Sequence, residues 1–122
     1  MLTNGPTMSF KRFEVVHVPF PFTDKEASKK WPALVVSDEF AFNAPAGHSV
    51  MVMITSEEHA AWPLDCVVKN LQAAGLPAPS KVRFKLFMLD HQLVLDRLGQ
   101  LDAEDAARVQ KALSSLLPVG AA

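Results

Sequence analysis

The sequence predicts a small, mostly antiparallel β-barrel with one helix docked on it at the C-terminus. Nine prolines and five glycines cut 122 residues into many short segments. The longest apolar runs, PALVV, SVMVMI and FKLFML, are strand-sized and rich in β-branched and aromatic residues. Apolar residues recur clearly at helical spacing in one place, after Asp102.

The elements follow in order. FEVVHVPF alternates and predicts a strand over Phe13 to Phe20, ended by Pro19 and Pro21. TDKEASKK is a charged eight-residue loop, long enough to carry function. WPALVVS is a second strand, whose Pro32 belongs at a strand start or an edge because proline cannot donate to a ladder. DEFAFNAPAG reads as a turn with one helical turn, and Ser49 to Ser56 as a third strand. EEHAAWPLDCVV is a loop leading to a short strand at Leu64 to Val67. KNLQAAGL carries a short helix stopped by Gly75 and Pro77, and Ser80 to Leu89 is a fourth long strand.

The final helix opens on Asp102 as cap, with Asp105 three residues on as a capping-box analogue weaker than Glu. Ala106, Val109, Leu113, Leu116 and Leu117 form its apolar stripe. Each large member contributes roughly 1.5–3 kcal/mol if fully buried, against about 1 kcal/mol for the cap. Packing therefore decides that helix. Residues 1–9 read as a loose lead-in, with Met8 an alternative start, and residues 10–118 as a single domain.

Composition narrows the function. Hydrophobic residues at 49% and charged residues at 20% mark a folded domain rather than a disordered chain. No segment approaches the roughly 18 apolar residues of a membrane helix, and MLTNGPTMSF lacks the regions of a signal peptide; a cytoplasmic address without membrane contact is expected. The single cysteine, Cys66, excludes an internal disulfide and a multi-cysteine zinc site. His17, His48, His59 and His91 lack metal-ligand spacing and read as solvated or structural, so neither metal nor cofactor is expected. A net charge of −1 argues against non-specific binding along a phosphate backbone.

A local anion site is compatible with that charge. On a strand of period two, Lys81, Arg83 and Lys85 share one face, and Val82, Phe84 and Leu86 the other. Three cations on one face repel unless something negative sits beside them. Either the face is solvated, or it binds an anion with help from Lys29 and Lys30. Six of the twelve Lys and Arg residues fall within residues 25–30 and 81–85, which favours a local phosphate site. Thr55 and Ser56 end the third strand with two hydroxyls, which either satisfy a turn or hold a phosphate.

FEVVHVPFPFTD, KKWPALVVS, VMVMITS, PLD, AGLPAPSKVR and RLGQLD stand in the order and spacing of the MazF/PemK toxins, and the resemblance runs from Phe10 to Leu117. It implies an SH3-like barrel of the CcdB/PemK/MazF type that pairs as a homodimer. It further implies the toxin of a bacterial type II toxin–antitoxin module, a metal-independent endoribonuclease that cuts single-stranded mRNA and is neutralised by a cognate antitoxin. In that chemistry the ribose 2′-OH attacks the adjacent phosphate. The resemblance makes Thr55 and Arg83 the catalytic residues; taken with the charge and hydroxyl pattern above, Thr23, Lys29, Lys30, Trp31, Ser56, Lys81 and Lys85 are the expected RNA-binding set.

Four positions depart from the family pattern. Trp31 stands where an arginine often precedes the proline of the second strand, Lys85 where one branch has an acid, and Phe13 and Glu14 where a glycine and an aspartate usually open the first strand. An indole cannot present a guanidinium's charged fork to a phosphate. Losing one such preorganised donor costs about 10²–10³ in rate. Stacking a base on Trp31 returns about 1–3 kcal/mol, but as binding, which does not restore a transition-state contact. The alternatives are an impaired family member, or a non-catalytic toxin that, like CcdB, binds a protein target such as gyrase. The consecutive apolar residues Phe87, Met88 and Leu89 are expected to bury both faces of their strand, consistent with a dimer.

Overall fold

The computed structural model describes residues 9–20 and 29–120. Met8 and the lead-in up to it, Pro21, and the loop from Thr23 to Ser28 lie outside the described residues. Six strands, β1 (Glu14–Phe20), β2 (Lys29–Val35), β3 (His48–Ser56), β4 (Cys66–Val67), β5 (Ser80–Asp90) and β6 (Asp96–Gln100), form one sheet in the order β4-β5-β3-β2-β1-β6. Every pairing is antiparallel. The sheet curls into a partial barrel. Helix α2 (Leu71–Ala74) packs on β6 and helix α3 (Ala103–Leu116) on β4, over the opening between the two edges.

The sheet buries both of its faces. Along β1, β2 and β3, neighbouring residues alternate between two clusters. Val15, Leu34, Val52 and Ile54 join Val82, Val68, Leu101 and Val109 of α3 in one. Val16, Val18, Ala33, Val35 and Met51 join Phe10, Leu89 and Val94 in the other. This is the two-residue period of a pleated strand with both sides covered.

The two prolines inside strands sit where one side of the ladder is open. Pro32 pairs with His17, but β2 meets β3 only from Ala33 to Val35. Pro19 pairs with Lys30, while β1 meets β6 only as far as His17. The missing N–H costs nothing at such places. Pro19 therefore does not end the first strand, which runs one residue past it.

Other elements differ from expectation in instructive ways. Asp38 accepts from the amides of Phe40 (3.0 Å) and Ala41 (2.7 Å). It thereby starts a wide helical turn, Glu39–Asn43, that continues into α1 (Ala44–Ala46). Buried Asn43 donates to the carbonyls of Phe10 (2.8 Å) and Ser37 (2.9 Å), tying the chain's start to the end of β2. Strand β6 and the turn His91–Leu93 were not expected, because DRLGQ is too short and polar to show a period. Asp102 caps α3 through the Asp105 amide at 2.8 Å. The Asp105 carboxylate is turned instead to the amides of Lys69 (3.1 Å) and Asn70 (2.9 Å), pinning α3 to the segment before α2. In the stripe, Val109 is buried but Leu117 lies past the helix and is 52% exposed.

On β5 the register against β3 jumps from Arg83 to Leu86 between Met53 and Val52, leaving Phe84 and Lys85 as a bulge. Beyond it, Leu89 is buried, whereas Leu86 and Met88 are 40% and 55% exposed. The apolar run thus buries one face within the chain and presents the other.

Phe13, at a position where the resemblance leads one to expect glycine, has a left-handed backbone at φ 70°. An aromatic residue there is strained, and hydrogen bonds from its amide to Val35 (2.7 Å) and to its carbonyl from Leu101 (3.0 Å) hold it. Gly99 of β6 passes so close to α2 that a Cβ would lie 2.3 Å from the Ala73 carbonyl oxygen. Gly99→Ala is expected to destabilise the fold by about 1–3 kcal/mol through overpacking of backbone on backbone, measured as a lower urea midpoint.

Candidate functional site

With both faces buried, polar side chains collect at the strand ends. A cleft of about 370 Å³ opens there. It is lined by His17 of β1, Lys30, Trp31 and Pro32 of β2, Ile54, Thr55 and Ser56 of β3, and His59 of the next loop. Leu76 to Ser80 and Leu98 of β6 form the opposite wall. Gly75 and Gly99 let α2 press onto β6, which sets the position of that wall.

Two histidines line the cleft, each hydrogen-bonded through its Nδ1. His17 and Asp96 are direct partners across β1 and β6, and His17 Nδ1 lies 2.8 Å from Asp96 Oδ1. Lys30 Nζ approaches the other carboxylate oxygen at 3.5 Å. Burial pushes the Asp96 carboxyl up, but its hydrogen bond to His17 and the attraction of His17 and Lys30 outweigh this and hold it below the usual carboxylate range. Thr55 Oγ1 lies 2.6 Å from His59 Nδ1, a pair four residues apart across the turn after β3.

Trp31 belongs to both core and cleft. It is half-buried, packs against the second cluster, and lies 5.3 Å from the Phe20 ring, while also lining the cleft. Lys30 leaves β2 on the opposite face, as strand alternation requires, and reaches toward Asp96 while it too borders the cleft.

The β5 cations meet a carboxylate of the chain itself. Asp65 receives Arg83 Nη2 at 3.0 Å, Arg83 Nε at 3.3 Å and Lys81 Nζ at 3.3 Å. Arg83 also donates to the Ala60 carbonyl at 2.6 Å, and Lys81 to that of His59 at 2.5 Å. Arg83 and Lys85 both lie over the Trp62 ring, at 5.4 and 4.7 Å. A tight turn makes this fit: Leu64 is left-handed at φ 67°, and the Trp62 amide donates to Asp65 at 2.9 Å. Burial raises the Asp65 carboxyl, but Arg83, the Trp62 amide and Lys81 together bring it below its usual value. The Asp65 bond raises the Arg83 guanidinium in turn, so it stays charged.

Of the residues singled out from the sequence, Lys30, Trp31, Thr55 and Ser56 come together in the cleft. Lys81, Arg83 and Lys85 gather instead around Asp65 and Trp62, and are not among the cleft's lining residues, nor is Lys29. Thr23 lies outside the described residues. His17, His59, Asp65 and Asp96 were missed as site residues. The TSEEH spacing carried a local signal for the Thr55–His59 pair. His17 and Asp96 are 79 positions apart and meet only through the sheet. Burial pushes the Cys66 thiol up, away from a reactive thiolate. Among the described residues no three His, Cys, Asp or Glu side chains are grouped to hold a metal ion, and no helix is long and apolar enough to cross a membrane.

Residues 11–117 match the family model of the PemK-like, MazF-like toxins of type II toxin–antitoxin systems. The chain belongs to that family. Its fold is similar to a MazE–MazF crystal structure from Deinococcus radiodurans, with 19% identity, a TM-score of 0.70, and 93% of this chain and 99% of that chain covered. It is similar to an endoribonuclease in complex with its cognate antitoxin from a mycobacterial species, with 18% identity, a TM-score of 0.71, and 92% and 98% covered. The toxin MazF-mt6 of Mycobacterium tuberculosis gives 15% identity, a TM-score of 0.67, and 88% and 99% covered. No curated protein sequence matches the chain significantly. As expected, this MazF/PemK-family chain is a mainly antiparallel curled sheet with a C-terminal helix.

The Asp65 cluster predicts a pH-dependent stability. A carboxyl depressed by folding stabilises fully above its ordinary value, near pH 4, and loses that contribution as the pH falls through the folded value. The stability advantage of the natural protein over Asp65→Asn is expected to be full above about pH 4 and to vanish in stronger acid, read by urea titrations at stepped pH.

Proposed function

We propose that this chain is the toxin of a type II toxin–antitoxin module. It acts as a metal-independent endoribonuclease on single-stranded mRNA in the cytoplasm, as a homodimer restrained by a cognate antitoxin peptide. Family membership supports the toxin class, and the cleft carries the reaction. Its composition suits single-stranded RNA: an indole for a base to stack on, hydroxyls at the end of β3 for a phosphate, and Lys30 for charge. Thr55 donates to the phosphate. Arg83, permanently charged, contributes field from beside the cleft and orders the Asp65 loop, with Lys81 and Lys85 adding positive potential for the RNA backbone. Lys29, at the start of β2, adds a further charge for the RNA backbone, and Thr23 is assigned to RNA binding from the sequence alone.

The exposed residues Leu86 and Met88 give the homodimer an apolar surface to cover. Sedimentation at micromolar concentration is expected to give a dimer; a monomer would remove that part of the proposal. One observation favours a second reading, a non-catalytic toxin with a protein target: Lys81 and Arg83 already have a carboxylate partner.

The test is incubation with a long single-stranded RNA in EDTA, with the new ends mapped. Cyclic-phosphate and 5′-OH ends are expected. Thr55→Ala is expected to lower kcat by about 10²–10³, and Trp31→Ala to raise KM by about five- to a hundredfold with kcat little changed. RNA that is bound but uncut supports an impaired enzyme, and RNA neither cut nor bound supports the protein target.

A further inference from the structure

Attack by a 2′-OH needs one group to take its proton and another to protonate the departing 5′-oxygen. Arg83 is poorly suited to either task, since Asp65 holds it charged and it does not line the cleft. Thr55 is a hydroxyl and no stronger a base than the ribose itself. Imidazole ordinarily both takes and gives protons near neutral pH, and two imidazoles, His17 and His59, line this one cleft.

We propose that His17 and His59 are the general base and general acid of the cleft, with Asp96 positioning His17 and Thr55 positioning His59. This rests on the ribonuclease reading. The Asp96 carboxylate at 2.8 Å requires a proton on His17 Nδ1, which leaves Nε2 as the acceptor. Asp96 also stabilises the imidazolium that forms when His17 takes a proton. His59 meets a hydroxyl at Nδ1 instead of a carboxylate, which orients the ring and leaves Nε2 to carry the proton it gives. The 2′-OH proton passes to His17 Nε2 as the 2′-oxygen forms its bond to phosphorus. The bond from phosphorus to the 5′-oxygen breaks, and that oxygen takes a proton from His59. A cyclic phosphate and a 5′-OH result, and exchange with water resets both rings.

The charged and titratable groups facing the pair are Asp96 of β6 and Lys30 of β2 at His17, and Lys81 of β5, which donates to the His59 carbonyl. Two histidines in the cleft thus give this chain a proton-transfer route that needs no arginine at position 31.

The test uses the full chain and an RNA carrying one cut site mapped with the natural protein. His17→Asn and His59→Asn are each expected to lower kcat by about 10²–10⁴ with KM little changed and unaltered circular dichroism. His48→Asn, bonded to the Ala46 carbonyl outside the cleft, is the control expected to keep full activity. The pH–rate profile of the natural protein is expected to be bell-shaped, and each variant to lose one limb. Asp96→Asn is expected to move the acidic limb to lower pH.

Replacing the bridging 5′-oxygen by sulfur separates the roles, because a thiolate leaves without a proton. That substrate is expected to restore His59→Asn and not His17→Asn. Cleavage by both histidine variants at the natural rate overturns the proposal and leaves the ribonuclease reading standing. Restoration of both variants, or of neither, overturns the assignment of roles. No cleavage by the natural protein overturns the ribonuclease reading and the proposal with it.

Discussion

A sheet with hydrophobic core on both faces has no side left on which to mount chemistry. In this protein successive residues of β1, β2 and β3 enter opposite clusters, Val15 and Val16, Leu34 and Val35, Met51 and Val52. Polar groups are thereby driven to the ends of the strands, where pairing stops and the next residue has room. The cleft opens at such an end, where β2 has parted from β3 beyond Ala33 and Thr55 and Ser56 close β3. Prolines mark the same boundary, since Pro19 and Pro32 sit where one neighbour strand has already ended. The packing that stabilises the fold also fixes where substrate can be met.

Trp31 occupies one of these boundary positions. Its ring packs with Phe20 and the second cluster and still borders the cleft. A residue shared in this way holds the end of β2 in place while offering aromatic surface. Trp31 gives the cleft a flat apolar wall, and the cation lining it is Lys30, one residue earlier, with its charge directed at Asp96.

The β5 cations illustrate how a charge pattern is satisfied. Lys81 is buried to 6% exposure, and an ammonium at that depth needs a partner. Asp65 supplies it, and the Trp62 ring covers Arg83 and Lys85. The Leu64 backbone strain is the cost of bringing that carboxylate back onto β5. The loop between β3 and β4 is thereby built as a lid on the cations rather than a mere connection.

Strand identity, the terminal helix and the family were legible in the sequence because each is carried by short-range pattern: alternation in FEVVHVPF, helical spacing after Asp102, ordered motifs along the chain. The cationic face of β5 was legible too, with an anion beside it as one of two readings. Which anion was not, because Asp65 lies 18 positions from Arg83 and reaches it through a turn with a left-handed leucine. Strand β6 left no pattern, being short, polar and held by its neighbours. With β6 unseen, Asp96 had no place, and His17 read as one more solvated imidazole. Local sequence determined the elements and their faces, since side-chain direction follows from backbone period alone. Tertiary structure alone decided which charges meet, since Coulombic and hydrogen-bonded pairing depends on distances of about 3 Å that only the closed sheet sets.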